Sequence, residues 1–233
     1  QGETDRANHD FVPNKIGQPK VRSWKIFANA KYELSDAVEI YGFGNFNRTR
    51  SSNEFNYRGP TSTIYNHSFF QDKAPFIFPT FDLKSIYPDG FTPIFGAVSR
   101  DSSLTTGLRG KLSDSLSWDL SGRYGRNRIR YDIRDTINVT LGPDSPLDFN
   151  AGSQRQTEYA ANADFTWLVD VGLAQPASIA FGGEWRRESY RIGVGDEASY
   201  AVGPLNDLPP GSNGYVSPTP DQAGSWSRDS RAA

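Results

Sequence analysis

Between Leu104 and Tyr131 the chain alternates with a period of two. Leu104, Thr106, Leu108, Gly110 and Leu112 share one parity; Thr105, Gly107, Arg109 and Lys111 share the other. After Ser113-Asp114-Ser115 the alternation resumes in phase, with Leu116, Trp118, Leu120, Gly122 and Tyr124 set against Ser117, Asp119, Ser121 and Arg123. Successive side chains on a strand point to opposite faces, so residues 103–131 read as a hairpin with one apolar and one polar, charged face. A three-residue turn sets Leu112 opposite Leu116 and Gly110 opposite Trp118, where the indole can cover bare glycine backbone. Arg109, Lys111 and Arg123 are ill suited to a face beneath a packed core. A ribbon that is apolar outside and charged inside is what a membrane-spanning β-barrel needs.

Two further hairpins follow from the same pattern. Over residues 22–48, Trp24, Ile26, Ala28, Ala30, Tyr32 and Leu34 alternate with Lys25, Asn29, Lys31 and Glu33. The segment Leu34-Ser35-Asp36-Ala37-Val38 echoes Leu112-Ser113-Asp114-Ser115-Leu116. Two facings of the return strand are open. A three-residue turn puts Val38, Ile40 and Phe46 on the apolar face, whereas a two-residue turn selects Tyr41 and Phe43; the echo favours the first. Over residues 155–192, Tyr159, Ala161, Ala163, Phe165 and Trp167 lead through Asp170-Val171-Gly172 to Ile179, Phe181, Gly183 and Trp185, with Glu184 and Arg186 on the other parity. Between the hairpins lie long aperiodic intervals, about 49–102 and 132–154, and a third covers 193–233. The predicted fold is all-β: about six antiparallel strands in three hairpins, with tight turns at one end and long loops at the other. That asymmetry belongs to outer-membrane barrels, whose periplasmic turns are short and external loops long.

Composition narrows the choice. Fifteen Phe, eleven Tyr, five Trp, 22 Gly and 15 Pro favour strands and turns over helices. A net charge of −2 gives no reason to expect nucleic acid. With no Cys, a disulfide scaffold and a thiolate metal site are excluded. The two histidines, His9 and His67, have no second His near them, and no metal site, cofactor or catalytic constellation is expected. Gly107-Leu108-Arg109-Gly110-Lys111 mimics the tail of a phosphate-binding loop, but Leu112 replaces the hydroxyl residue and the segment sits mid-strand. The absence of Met and of an apolar leader reads as a processed protein or a fragment.

An ordered series of short motifs then carries a resemblance. It begins with Tyr87-Pro88-Asp89-Gly90-Phe91-Thr92-Pro93, Gly107-Leu108-Arg109-Gly110, Trp118-Asp119-Leu120-Ser121 and Tyr124-Gly125-Arg126-Asn127. It continues with Asn138-Val139-Thr140-Leu141-Gly142-Pro143, Phe181-Gly182-Gly183-Glu184-Trp185-Arg186-Arg187-Glu188-Ser189-Tyr190 and Gly195-Asp196. From about Trp24 to Tyr200 the chain resembles the middle of the barrel of TonB-dependent outer-membrane receptors of Gram-negative bacteria. The resemblance implies a 22-stranded barrel closed by a plug and energised through the TonB protein. It implies uptake of a small ligand such as a siderophore, a cobalamin-like cofactor or an oligosaccharide. No plug domain, energy-coupling box or terminal aromatic strand is present in the sequence. Six strands cannot close such a barrel, so the chain is expected to be a fragment of a larger one. Its expected partners are membrane lipid, the rest of its own barrel and plug, TonB and the ligand.

The candidate residues divide into two groups. Arg109, Lys111, Arg123, Glu184 and Arg186 are expected to face the barrel lumen, in charge networks with each other or with the plug more than along a ligand route. Tyr65, Phe70, Tyr87 and Phe91, in the aromatic-rich interval 49–102, are loop candidates for ligand contact. The competing expectation is that these rings pack on one another, as large ordered loops usually do. Trp24, Trp118, Trp167 and Trp185 suit aromatic girdles at a membrane interface, or ordinary sheet-face positions. The alternatives are a passive porin or adhesin-type barrel, an outer-membrane enzyme, and a soluble β-sandwich binding module, which is apolar on one face of each sheet as well.

Overall fold

The computed structural model describes residues 17–66, 74–205 and 224–232. Seven strands form one antiparallel sheet in simple sequential order. They are β1 (Lys20–Ser35), β2 (Val38–Glu54), β3 (Ile94–Ser113), β4 (Leu116–Arg134), β5 (Phe149–Val169), β6 (Ala177–Gly193) and β7 (Gly224–Ala232). The three hairpins read from the alternation are β1–β2, β3–β4 and β5–β6. The seventh strand lies inside the interval 193–233, which the sequence presents as loop, and pairs with β6 from Glu184↔Ala232 to Ile192↔Gly224. Its segment, Gly224-Ser225-Trp226-Ser227-Arg228, has no apolar alternation, so backbone pairing with β6 is its only signature.

The strands also run further toward the loop end than the hydrophobic pattern does. β2 continues to Glu54, β3 starts at Ile94, β4 reaches Arg134 and β5 starts at Phe149. Short connections at Asp36–Ala37, Asp114–Ser115 and residues 170–176 occupy one end of the sheet, and the long connections occupy the other.

The first two turns are tighter than the expected three residues. Ser35 pairs with Val38 and Ser113 with Leu116, leaving two-residue turns, and a register shift in the strand before each turn restores the phase. The shift puts Tyr32 opposite Ile40 and Ile26 opposite Phe46, so Ile40 and Phe46 share the face of Trp24. Gly110 stands opposite Trp118 as expected. A Cβ at Gly110 would collide with the Ala37 carbonyl oxygen and touch the Trp118 indole, so the close approach of the neighbouring turn requires glycine there.

The turns step along the sheet. One row of paired residues runs Val38–Gly110–Trp118–Phe165–Phe181, and β5 and β6 extend four residues past it, from Phe165 to Val169 and from Phe181 back to Ala177. Four residues over the four intervals from β2 to β6 is about one residue per strand; with ~3.4 Å rise and ~4.8 Å strand spacing this corresponds to a tilt of roughly 35°.

Among the described residues the sheet is a single layer. Substantial contacts between elements join only neighbouring strands, apart from the helical turn Glu197–Ser199 against β5. All 16 residues of β1 are exposed. β1 and β7 each have a neighbour on one side only, so the sheet is open. The best-buried apolar cluster lies in the loops: Tyr65, Leu83, Phe91 and Ile137, with Ile64, Phe81, Ile86, Tyr87 and Val139 packed against them.

Candidate functional site

Three surfaces carry chemistry: the apolar face of the sheet, its polar face and the loop cap.

On the apolar face, aromatic residues gather at two levels. Near the short turns are Trp118, Phe165, Trp167 and Phe181, with the Phe165 and Phe181 rings stacked at 5.4 Å. Near the loops are Trp24 against Phe46 at 5.1 Å, Tyr124 against Tyr159 at 5.3 Å, and Trp185. Between them lie small and aliphatic residues: Ala28, Ala30, Gly42, Gly44, Leu104, Leu108, Leu120, Ala161 and Ala163. The four tryptophans therefore divide two and two between the levels.

Arginine bounds this band on the loop side. The first arginine on this face stands ten residues beyond the strand start in each outgoing strand: Val38 to Arg48, Leu116 to Arg126 and Ala177 to Arg187. The boundary therefore steps across the sheet in parallel with the turns. Ten residues at ~3.4 Å, tilted by roughly 35°, give a band about 28 Å tall, close to the ~25 Å apolar belt of membrane barrels.

The five charged residues named from the sequence all lie on the polar face, in separate groups, and among them only Glu184 and Arg186 pair with each other. Nearest the turns, Glu39 accepts from Arg109 at 2.6 Å and from Lys31 at 3.1 Å. The Arg109 guanidinium lies 5.2 Å from the centre of the Tyr41 ring, and the Tyr41 hydroxyl donates to Asp119 at 2.8 Å. Glu39, Arg109 and Asp119, with Lys111 and Asp164, line a shallow open concavity of about 630 Å³. Further along, Arg123 pairs with Glu158 at 3.6 Å. Arg186 lies between Glu184 at 3.1 Å and Glu188 at 3.9 Å. Asp101 accepts from Asn47 at 3.2 Å, from Ser99 at 3.1 Å and from Asn127. The alternation located the charges but not their partners: Glu39 and Glu158 become visible only once the strand register is known. Among the described residues no group of three His, Cys, Asp or Glu side chains is placed to hold a metal ion.

The cap joins three loops. Tyr87 stacks on Phe91 with ring centres 4.4 Å apart, and Tyr65 closes on Phe91 at 6.4 Å. The Tyr65 hydroxyl donates to the Tyr87 carbonyl at 2.8 Å, and the Tyr87 hydroxyl to the Thr136 carbonyl at 3.2 Å. Burial pushes the phenol pKa of both Tyr65 and Tyr87 up to about 12. Asn138 donates to the carbonyls of Ala198 and Ala201, both at 2.9 Å, and Leu205 sits fully enclosed against Phe78, Phe81 and Val139. Tyr65, Tyr87 and Phe91 thus pack on one another and on residues of the next loop. Phe70 lies outside the described residues. Among the described residues of the loop between β2 and β3, the aromatics that stand exposed are Phe55 and Phe76. Compared with protein-family models, curated proteins and solved structures, the chain gives no match.

Proposed function

We propose that this chain is part of an outer-membrane β-barrel and serves as a receptor and transporter for a small ligand, in the manner of the TonB-dependent receptors it resembles. The observation that carries the membrane reading is the apolar face. It forms a continuous band of leucine, alanine, glycine and aromatic residues, rimmed by aromatics at both levels, and no described part of the chain covers it. A β-sandwich would bury such a face under a second sheet. Lipid covers it equally well, and the ~35° stagger fits a barrel wall. In lipid the free edges of β1 and β7 must be paired, so the complete barrel contains strands beyond these seven.

In this reading the polar face lines the lumen. Its alternating carboxylates, guanidinium groups, amides and hydroxyls can hydrogen-bond a plug or a hydrated ligand, and no covalent chemistry is required of them. The cap lies on the external side, where its self-packed loops hold exposed residues such as Phe76 toward arriving ligand.

The test uses the whole protein in its native cell. Fractionation is expected to place it in the outer membrane, with a folded form that migrates differently from the boiled form on a detergent gel. Ligand accumulation that depends on the protein and collapses on adding an uncoupler supports the energised receptor. Accumulation indifferent to the uncoupler replaces it with a passive pore, and a protein found in the aqueous fraction removes the barrel altogether.

A further inference from the structure

Strand register assembles a feature that no single stretch of sequence displays. Arg48 pairs with Arg100, Arg100 with Arg128, Arg128 with Arg155 and Arg155 with Arg191, so one row across β2 to β6 is arginine on every strand. Arg126 and Arg130 flank Arg128 on the same face of β4, and Arg50 follows Arg48 on β2. The row lies on the apolar face; it meets Trp24 of β1 at Arg48 and lies beyond Tyr124, Tyr159 and Trp185 on β4, β5 and β6.

Directly opposed like charges destabilise a sheet, because cross-strand neighbours stand only ~5 Å apart. Among the described residues, none of the five has a carboxylate within ion-pair distance. The row therefore concentrates positive charge that the sheet itself does not neutralise. Its composition is selective as well. Every cation on this face from β2 to β6 is arginine, and the one lysine in those strands, Lys111, is on the opposite face. A lysine supplies a point charge, whereas a guanidinium supplies a planar fork that matches two phosphate oxygens at once.

Position identifies the occupant. If the band below is lipid-facing, as proposed above, the row starts at the edge of the band at Arg48 and, by the same stagger as the turns, climbs about 11 Å further at Arg191. With Arg126 and Arg187, the arginines then span the outer-leaflet headgroup layer. We infer that the Arg48–Arg100–Arg128–Arg155–Arg191 row is a binding surface for anionic, phosphate-bearing membrane lipids, which neutralise the row and fix the barrel's depth. This rests on the barrel reading. Charge complementarity carries the choice of partner, since zwitterionic lipid offers phosphate with its own counter-charge and neutralises nothing.

The experiment reconstitutes the whole protein in phosphatidylcholine bilayers. The selectivity of its lipid contact shell for spin-labelled phosphatidic acid over spin-labelled phosphatidylcholine is then read by electron paramagnetic resonance. The native protein is expected to prefer phosphatidic acid, with the preference falling as salt rises. The triple variant R100Q/R128Q/R155Q is expected to lower the selectivity ratio about tenfold or to unity. R100K/R128K/R155K is expected to keep an intermediate ratio, and this variant with the native salt titration keeps the test open if the glutamine variant does not fold. A native ratio near one, or a ratio unchanged by the glutamine substitutions, overturns the inference while leaving the barrel intact. A ratio abolished by millimolar inorganic phosphate makes the row a soluble-anion site and overturns the lipid assignment. A protein that fails to enter phosphatidylcholine bilayers overturns the barrel reading, and the inference with it.

Discussion

In the loop cap, Leu83 and Leu205 are enclosed by neighbouring loop residues, while in the sheet Leu104, Leu112 and Phe181 each keep more than half of their surface exposed. The cap has an interior of its own, built from Tyr65, Leu83, Phe91 and Ile137 and closed by hydrogen bonds between loops. The sheet has two faces and no interior. Its backbone is satisfied by neighbouring strands, but its apolar side chains gain nothing from folding until something outside the described chain covers them. Hydrophobic burial therefore holds the cap together from within, and the surroundings must supply the equivalent term for the sheet. Substitutions in the two regions should respond differently to the presence of a bilayer.

The largest expected effect is in the cap. Phe91→Ala removes the ring that Tyr87 stacks on and Tyr65 closes against, and should cost about 3–5 kcal/mol locally. Hydrogen exchange should show residues 55–66, 74–93 and 135–148 losing protection while β3 and β4 keep theirs, with or without lipid. Next is Leu120→Arg, about midway between Leu116 and Arg126 on the apolar face. In a bilayer it should cost about 2–4 kcal/mol in denaturant unfolding. Ser121→Arg, one residue along on the polar face, should stay within about 0.5 kcal/mol. Equal costs at the two positions would remove the distinction between the faces.

Asn138→Ala is expected to be smaller, about 1–3 kcal/mol, because it leaves the Ala198 and Ala201 carbonyls without their amide donor. Proteolysis should then cut near residues 196–205 before it cuts the loop between β2 and β3. The last effect is confined to alkaline pH. Tyr65 and Tyr87 titrate near 12 in the folded cap against an ordinary value near 10. The unfolded chain thus loses these protons first as pH rises, so the stabilisation is complete below pH 10 and is lost toward pH 12. Phenolate absorbance should rise with cap opening in that window, and β-sheet circular dichroism should not change with it.

The part of the fold legible in the sequence is the part where apolar and polar positions alternate. Leu104 to Tyr124 announces its hairpin because each apolar residue is followed by a polar one. Beyond Tyr124 the strand continues for ten residues to Arg134, but the apolar-face positions become Arg126, Arg128 and Arg130. Hydrophobic alternation ends there while backbone pairing does not, and for that reason the strands are longer than they read. β7 was hidden for the same reason. The two-residue turns were masked by the register shift that preserves phase, so the facing of Ile40 and Phe46 came out as the echo of the turns indicated. Arg109, Arg123 and Arg186 were legible as polar-face charges; their partners, and the arginine row, required a register that links residues up to 70 positions apart, as in Arg109 and Glu39. Tyr65, Tyr87 and Phe91 were legible as important rings, and their enclosure by Ile137 and Val139 of the next loop was not.

The sharpest single measurement uses the absence of cysteine from residues 1–233, so that an introduced thiol is the only one in this part of the protein. Single cysteines placed in turn from Leu116 to Tyr124 on β4 would carry a fluorescent label in a reconstituted bilayer and be challenged with a lipid-borne and an aqueous quencher. Our account predicts a period of two: labels at 116, 118, 120, 122 and 124 quenched from the lipid, and labels at 117, 119, 121 and 123 quenched from water. Quenching from water alone at both parities would contradict it, and the apolar face would then need a protein partner in place of the membrane.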